Sequence, residues 1–325
     1  MTIKVALCGL GRWGEHLIDA LRGSDKLRFV AGVTRDPDRH RDLAARTGIA
    51  LVADYDAALR DPAIDAVVLA TPHSRHHQQI VAAARAGKHV FTEKPLTLTR
   101  ASAQDAVDAC RRAGVTLGLG FNRRHAPAFV EMMRRIRAGE IGEMLHIEGQ
   151  FSGPTGYRLK AGNWRATRAE APGGGMTARG IHTLDAMIQI GGLVSTVYAH
   201  SDRRKLPADI DIDDTTSMLL RFESGITGYL ATIFVTGEFW RVHAFGTAGW
   251  LEMRGDTELI ACALEGAPQT VSLPKVDKER AVLEAFADAV AAGKPFTVPP
   301  EEAVNGIAVL EAIVASAGSG KPVGI

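Results

Sequence analysis

Cysteine is scarce in this chain: Cys8, Cys110 and Cys262 are the only three in 325 residues, and no two form a CxxC pair. An odd, scattered set excludes a disulfide framework or a zinc knuckle and suits a reducing compartment. An excess of one charge is lacking as well. The formal net charge is +1, which removes the electrostatic argument for nucleic acid or an anionic membrane as partner. No apolar run approaches the roughly 20 residues that cross a bilayer. The N-terminus, MTIKVALCGLGRWG, enters a strand pattern at once, without the basic start, apolar stretch and small-residue cleavage site of a signal peptide. A cytoplasmic location is the expectation. Internal repeats and low-complexity tails are missing too. What is present is 46% hydrophobic and 23% charged residues, the balance of a soluble globular protein. The length exceeds one average core, so two domains are expected.

The two halves differ in rhythm. Up to residue 122, continuous apolar runs at 3–9, 28–34, 65–71, 88–93 and 115–121 alternate with helical patterns. Such runs suit strands buried on both faces of a parallel sheet. Ser74 caps, and Gly87 closes, a helix carrying Ile80, Ala83 and Ala84, and Gly114 follows another over 101–112. Repeated β–α units of this length mean a doubly wound, right-handed parallel sheet. After residue 123 come a helix (126–138), a strand (144–151), a loop rich in glycine and arginine, and a helix (178–190). TTSMLLRF, ITGYLATIFV, RVHAFG and WLEM then read as a meander with turns at 223–225 and around Gly249, an antiparallel sheet with one face covered by helices. Helices over 278–292 and 301–317 close the chain.

Gly9-Leu10-Gly11-Arg12-Trp13-Gly14 is a GxGxxG that follows the first strand and opens a helix. In that context the first glycine makes the turn, the second admits a pyrophosphate and the third lets the helix pack close. The helix N-terminus supplies N–H donors and a positive dipole end. Residues 1–122 therefore read as a Rossmann dinucleotide-binding domain and 123–325 as an α+β domain. The second strand ends Thr34-Arg35 with no acid at its tip. A hydroxyl and a guanidinium match a 2′-phosphate, so NADP(H) is favoured. NAD(H) stays open because Asp36 lies one residue on.

With Thr92-Glu93-Lys94-Pro95 and the glycine loop taken together, the chain resembles the glucose–fructose oxidoreductase / inositol dehydrogenase (Gfo/Idh/MocA) family nearly end to end. The resemblance runs through ATPHSRH (70–76), AGKHVFTEKP (86–95), GFNRRHAPAF (120–129), GEIGEM (139–144), NWRATRAEAPGGG (163–175) and GIHTLD (180–185) to LEAIVASAGSGKPV. It implies a Rossmann domain, a second domain with a large, mostly antiparallel open sheet, and a homodimer or homotetramer formed through that sheet. It implies cofactor contacts from Gly9, Gly11, Arg12, Trp13, Gly14, Thr34, Arg35, Thr71, Pro72, His76, Glu93 and Lys94, with a Lys94–Pro95 bond that is often cis in the family. Lys94 would be the site lysine and His182 the catalytic histidine. One departure is plain: such inositol dehydrogenases carry Asp four residues before the histidine, where this chain has Ala178, followed by Arg179.

These residues can oxidise a carbinol or reduce a carbonyl. Histidine titrates near neutrality and suits the role of acid and base. Asp185, three residues on, could orient it if the side chains meet. Lys94 suits the electrostatic stabiliser of a forming alkoxide. The glycines of GGGMTARGIH (173–182) are expected to let backbone close over a ligand. Arg158, Lys160, Arg165, Arg168 and Arg179 make the nearby loop basic, with Arg123 and Arg124 elsewhere. If some face the site, as expected for Arg123, Arg165 and Arg179 beside His182, an acidic cyclic substrate is implied. His73, His76 and His77 share a helix face, but no cysteine or carboxylate completes a set, so no metal is expected. The leading expectation is an NAD(P)-dependent oxidoreductase acting on a sugar, a cyclitol or a related substrate. The alternatives are a redox-assisted lyase or glycosidase that recycles its cofactor, and a non-catalytic dinucleotide-binding sensor.

Overall fold

The computed structural model describes residues 2–325, which divide into two compact units. The first comprises residues up to 97, 101–122 and 277–300. Its elements are β1 (Ile3–Cys8), α1 (Arg12–Ala20), β2 (Leu27–Val33), α2 (Arg41–Thr47), β3 (Ala50–Val52), α3 (Tyr55–Arg60), β4 (Ala66–Leu69), α4 (His73–Arg85), β5 (His89–Thr92), α5 (Arg100–Ala113) and β6 (Leu117–Leu119). The six strands form one parallel sheet in the order β3-β2-β1-β4-β5-β6. Ala66, Val67, Val68 and Leu69 are completely buried, as a continuous apolar run in a central parallel strand requires. The order reverses between β1 and β4, and such a switch point opens a crevice beyond the carboxyl ends of the strands.

The remaining elements are α6 (Pro127–Arg137), β7 (Met144–Ser152), α7 (Ile181–Gly191), β8 (Val194–Asp202), β9 (Thr215–Phe222), β10 (Thr227–Ile233), β11 (Phe239–Gly246), β12 (Gly249–Arg254), β13 (Glu258–Ala263), β14 (Gln269–Ser272), α8 (Lys278–Ala292), α9 (Pro300–Ser319) and β15 (Val323–Gly324). Of these, α8 packs within the first unit. Phe286 meets Phe91 edge-on at 5.6 Å, in space that Gly118 leaves open, since a Cβ there would lie 2.7 Å from Phe286. A single cut at 122/123 does not capture this return of residues 277–300 to the first unit.

The second unit is built on a nine-stranded sheet, β14-β13-β12-β11-β7-β10-β9-β8-β15. The expected meander is interrupted, because β7 lies between β10 and β11 and runs parallel to β10. All other neighbours in the sheet are antiparallel. Alternation records which face of a strand is covered, not which strand lies next to it, so the inserted partner left no trace in the pattern. One face is covered by helices: Gly149 of β7 and Gly228 of β10 have no side chain where Thr183 and Met187 of α7 press in. The other face carries Tyr198, Leu219 and Tyr229 in one cross-strand row, with Leu219 58% exposed. The helix expected from 178 begins at Ile181, and a π-helical turn over Met176–Gly180 leads into it. Similarly α4 begins at His73 with Pro72 at its N-cap, two residues ahead of the expected Ser74 cap.

Candidate active site

In the first unit the glycine loop meets the geometric demands of a dinucleotide. Gly9 has φ +99°, and a Cβ there would lie 2.6 Å from the Ala70 carbonyl oxygen. The loops after β1 and β4 thus meet at the switch point. A Cβ on Gly14 would fall on the Gly9 carbonyl, so this glycine permits the tight strand–helix packing. Gly11 is different: a Cβ there meets nothing within 4 Å. It is the exposed N-cap of α1 and contributes no capping side chain. The glycine that the fold does not need is the one a pyrophosphate needs, and the N-terminal amides of α1 are the donors it would use. Arg12 beside it is exposed and Trp13 half-buried.

At the end of β2, the Thr34 hydroxyl accepts from the Asp36 amide (3.3 Å), and the Asp36 carboxylate accepts from the Arg39 amide (3.3 Å). The Asp36 carboxylate is thus engaged locally. Arg35 is exposed and, among the described residues, has no ion pair.

The loops after β4 and β5 are tied together by His76, which is wholly buried. Its Nδ1 lies 2.9 Å from the Pro95 carbonyl oxygen and its Nε2 3.2 Å from that of Thr71. Expected as a cofactor contact, this histidine instead spans two protein carbonyls and sets the loops that carry Thr71, Pro72, Glu93 and Lys94. The Thr71 hydroxyl donates to Gln79 (2.6 Å). The Lys94–Pro95 peptide is cis, and Lys94 is half-buried. Burial pushes the Glu93 carboxyl above its ordinary range, while Trp13 and Lys94 pull it back. Gly120 leaves it room, since a Cβ there would lie 3.0 Å from the carboxyl carbon. The neighbouring histidines have separate surroundings. His77 pairs with Asp105 at 2.8 Å, and His73 lies edge-on to His76 with ring centroids 5.8 Å apart. Among the described residues no group of three or more His, Cys, Asp or Glu is arranged to hold a metal.

In the second unit, His182 sits in the first turn of α7, 7% exposed, with its ring 6.1 Å from that of Phe151. Two further side chains converge on Phe151. The Arg123 guanidinium lies 4.9 Å from its ring centre and 4.6 Å from that of Trp240. That of Arg179 lies 4.8 Å from Phe151. Cations over aromatic faces are attracted by the ring quadrupole. Arg123 is paired with Asp256 at 2.5 Å. Of the residues expected to bind substrate, Arg123, Arg179 and His182 therefore surround one ring. Arg165 is exposed and lies over Trp164 at 4.0 Å. Arg158 and Lys160 are also exposed, and Arg168 is paired with Asp213 and Asp211.

Two expectations are corrected. The glycines at 173–175 close against the protein itself: a Cβ on Gly174 would fall on the Asp213 carbonyl, and one on Gly175 would lie 3.1 Å from Phe234 and Thr232. They seat the loop that leads into α7. Asp185 does not serve to orient His182 in this arrangement, because both its oxygens receive the Arg124 guanidinium, at 2.6, 2.9 and 3.1 Å. Arg124 also donates to Glu302 of α9 at 2.6 Å. Asp185 and Arg124 are 5% and 8% exposed. Burial pushes the Asp185 carboxyl up and Arg124 pulls it down. For Arg124, burial opposes the charge but the two carboxylates more than reverse this and hold it protonated. The cluster ties together three segments of the second unit. Neither its lock on α7 nor Glu302 was foreseen, although an arginine in NRRH and the acid of GIHTLD were both conspicuous. Ala178 packs against an apolar cluster that includes Leu206, Ile210, Ile212 and Phe234.

Comparison with known proteins agrees with this geometry. Residues 3–121 match the model of an oxidoreductase family with an NAD-binding Rossmann fold, and residues 129–252 match the Gfo/Idh/MocA C-terminal domain. The chain is 32% identical to scyllo-inositol 2-dehydrogenase (NAD(+)) of Bacillus subtilis (strain 168) over 234 residues, 70% of this chain and 66% of that one. It is 30% identical to D-xylose 1-dehydrogenase (NADP(+)) 2 of Haloferax volcanii over 302 residues, 90% of each. A solved structure of an oxidoreductase from Desulfitobacterium hafniense DCB-2 superposes with a TM-score of 0.92 at 29% identity, covering 100% of this chain and 98% of that one. The protein belongs to the Gfo/Idh/MocA family and is an NAD(P)-dependent oxidoreductase. Among the described residues, no helix is long and apolar enough to cross a membrane.

Proposed function

We propose that this enzyme uses NADP(H) in preference to NAD(H) to move a hydride between nicotinamide and a carbinol or carbonyl carbon of a sugar, a cyclitol or a related cyclic substrate. The observation that carries the reading is Gly11, whose bare backbone at the start of α1 serves no packing purpose and fits a pyrophosphate. The cofactor, when bound, supplies the hydride chemistry. Lys94 donates a hydrogen bond to the reacting oxygen and stabilises its developing negative charge. His182 accepts the hydroxyl proton in oxidation and returns it in reduction. Asp185 acts at one remove, through Arg124, by fixing α7. The preference for NADP(H) is supported by exposed Arg35, which has no ion pair among the described residues, and by the local engagement of Asp36. The substrate class is supported by the names of the inositol and xylose dehydrogenases. A homodimer or homotetramer is supported by the uncovered sheet face with its row of Tyr198, Leu219 and Tyr229, an apolar patch of the kind that marks association.

The test is absorbance at the reduced-nicotinamide band with NADP+ and NAD+ against sugars, cyclitols and their acids, for wild type, Lys94→Ala and Arg35→Ala. Turnover that Lys94→Ala abolishes, with Arg35→Ala weakening NADP+ and sparing NAD+, is the expected result. Cofactor binding with no turnover on any substrate would sink the reading.

A further inference from the structure

We propose that Arg179 anchors a substrate carboxylate, and that Glu238 occupies this anchor until the substrate displaces it. The inference takes the hydroxyl end of the substrate from the oxidoreductase reading and the acid end from geometry that stands by itself.

The Arg179 guanidinium is held by two kinds of contact. Its Nε and Nη2 donate to the Thr155 hydroxyl (3.0 and 2.8 Å), its Nη1 donates to the Ser152 carbonyl (3.1 Å), and its face lies on Phe151. These partners fix the plane of the fork without help from outside. The remaining contact is a single bond from Nη1 to Glu238 Oε1 at 2.6 Å. The Glu238 side chain is 59% exposed, on the connection between β10 and β11. The Arg179 side chain is only 17% exposed, but an acid held through one oxygen on the solvent side is readily exchanged. The anchor thus already holds a carboxylate, and holds it poorly. Guanidinium has five N–H donors, and these contacts leave one hydrogen of Nη2 on the outer edge. A carboxylate free to approach squarely takes both Nη1 and Nη2, the bidentate match that Glu238 does not make.

The neighbours favour Arg179 over the other cations. The Arg123 charge is matched by Asp256, which is only 29% exposed in its side chain. The adjacent position is Ala178, turned to an apolar cluster, so it brings no carboxylate to compete. Arg179 and His182 both lie against Phe151. The acid end and a ring hydroxyl of a single sugar acid can therefore reach them together. The chemical class is a polyhydroxylated carboxylate, a uronic or aldonic acid.

Calorimetric titration of the NADP+-saturated protein compares D-galacturonate with D-galactose and D-gluconate with D-glucose. The variants are Arg179→Met, Arg179→Lys and Glu238→Gln. In the wild type at least one acid should bind on the order of tenfold tighter than its neutral partner. Arg179→Met should erase that difference, Arg179→Lys should keep part of it, and Glu238→Gln should tighten the acid while leaving the neutral sugar unchanged. Equal affinities in the wild type, no binding of either acid, equal loss of acid and sugar in Arg179→Met, or weaker acid binding in Glu238→Gln would each overturn the anchor. Turnover measured on the same set separates the two readings. Arginine-dependent binding of an acid with no cofactor reduction would defeat the hydride-transfer proposal and leave the anchor standing. Reduction with neutral sugars and indifference to acids would do the reverse.

Discussion

Alanine substitutions at Gly11 and Gly14 separate a glycine kept for a ligand from one kept for the fold. Gly11 has φ −71° and ψ −178°, a conformation open to alanine. Its Cβ would meet nothing. The lower unfolded-state entropy of alanine gains about 0.4–1 kcal/mol, while glycine's advantage over alanine at an N-cap offsets a similar amount. The stability change should stay within about 0.5 kcal/mol of zero. Gly14→Ala places a methyl on the Gly9 carbonyl oxygen, a backbone atom that cannot swing aside, and such overpacking costs about 1–3 kcal/mol or more. Binding should show the opposite order. A methyl at Gly11 keeps a pyrophosphate off the first amides of α1, and each hydrogen bond to a charged group is worth about 1.5–3 kcal/mol. One such bond lost weakens NADP+ by roughly tenfold or more. Urea unfolding and calorimetric titration with NADP+ read the two quantities independently. Wild-type affinity in Gly11→Ala would show that the pyrophosphate lies elsewhere and would remove the main support for the cofactor site.

Two further substitutions test the second unit. Asp185→Asn withdraws one charge from the buried Arg124 cluster and leaves Glu302 as the acid that faces it, at a cost of roughly 3 kcal/mol in urea unfolding. Were Asp185 the partner that orients His182, the variant would instead keep its stability and lose kcat with a displaced pH–rate profile. Glu131 is held down to about 2 by hydrogen bonds from Arg134 and Arg135, so its folded-state pKa lies below its unfolded one. Its contribution is present above pH 4–5 and disappears as pH falls toward 2. Solvent screening limits that contribution to about 1 kcal/mol. Wild type should therefore exceed Glu131→Gln in stability at pH 7, with the gap closing through acid; a gap that widened on acidification would reverse the sign of the argument.

The parallel sheet was legible because a strand buried on both faces must be apolar along its whole length, as Ala66–Leu69 is. Its shorter members were not: β3 has three residues, none of them buried, and carries too little pattern to register. The placement of α8 was hidden for another reason. Its phenylalanine packs on Phe91, nearly two hundred residues earlier in the chain, and a helical stripe says that a face is covered without saying by what. The same limit concealed β7 between β10 and β11, since each strand's alternation fits either neighbour.

The site divided along a similar line. Backbone requirements were readable: Gly9 and Gly14 stand where a side chain would strike the chain itself, and Gly11 where it would strike nothing. Side-chain roles were readable only by type. A histidine in TPxxxH and one in GxHxxD look alike as candidates, yet His76 spans two carbonyls inside the first unit whereas His182 lies beside Phe151 with two arginines. An acid three residues from a histidine can face it, but Asp185 is claimed by an arginine that lies 61 positions away. Charge is satisfied by whichever opposite partner the fold brings closest, and burial decides how firmly that pairing is held. By that measure the paired arginines of the second unit are not equivalent. Arg124 is locked between two acids, one of them almost wholly buried, and Arg123 has a partner mostly withdrawn from water. Arg179, fixed in plane by Thr155 and Ser152 but matched, among the described residues, by a single exposed carboxylate, can exchange that partner for another while keeping its orientation.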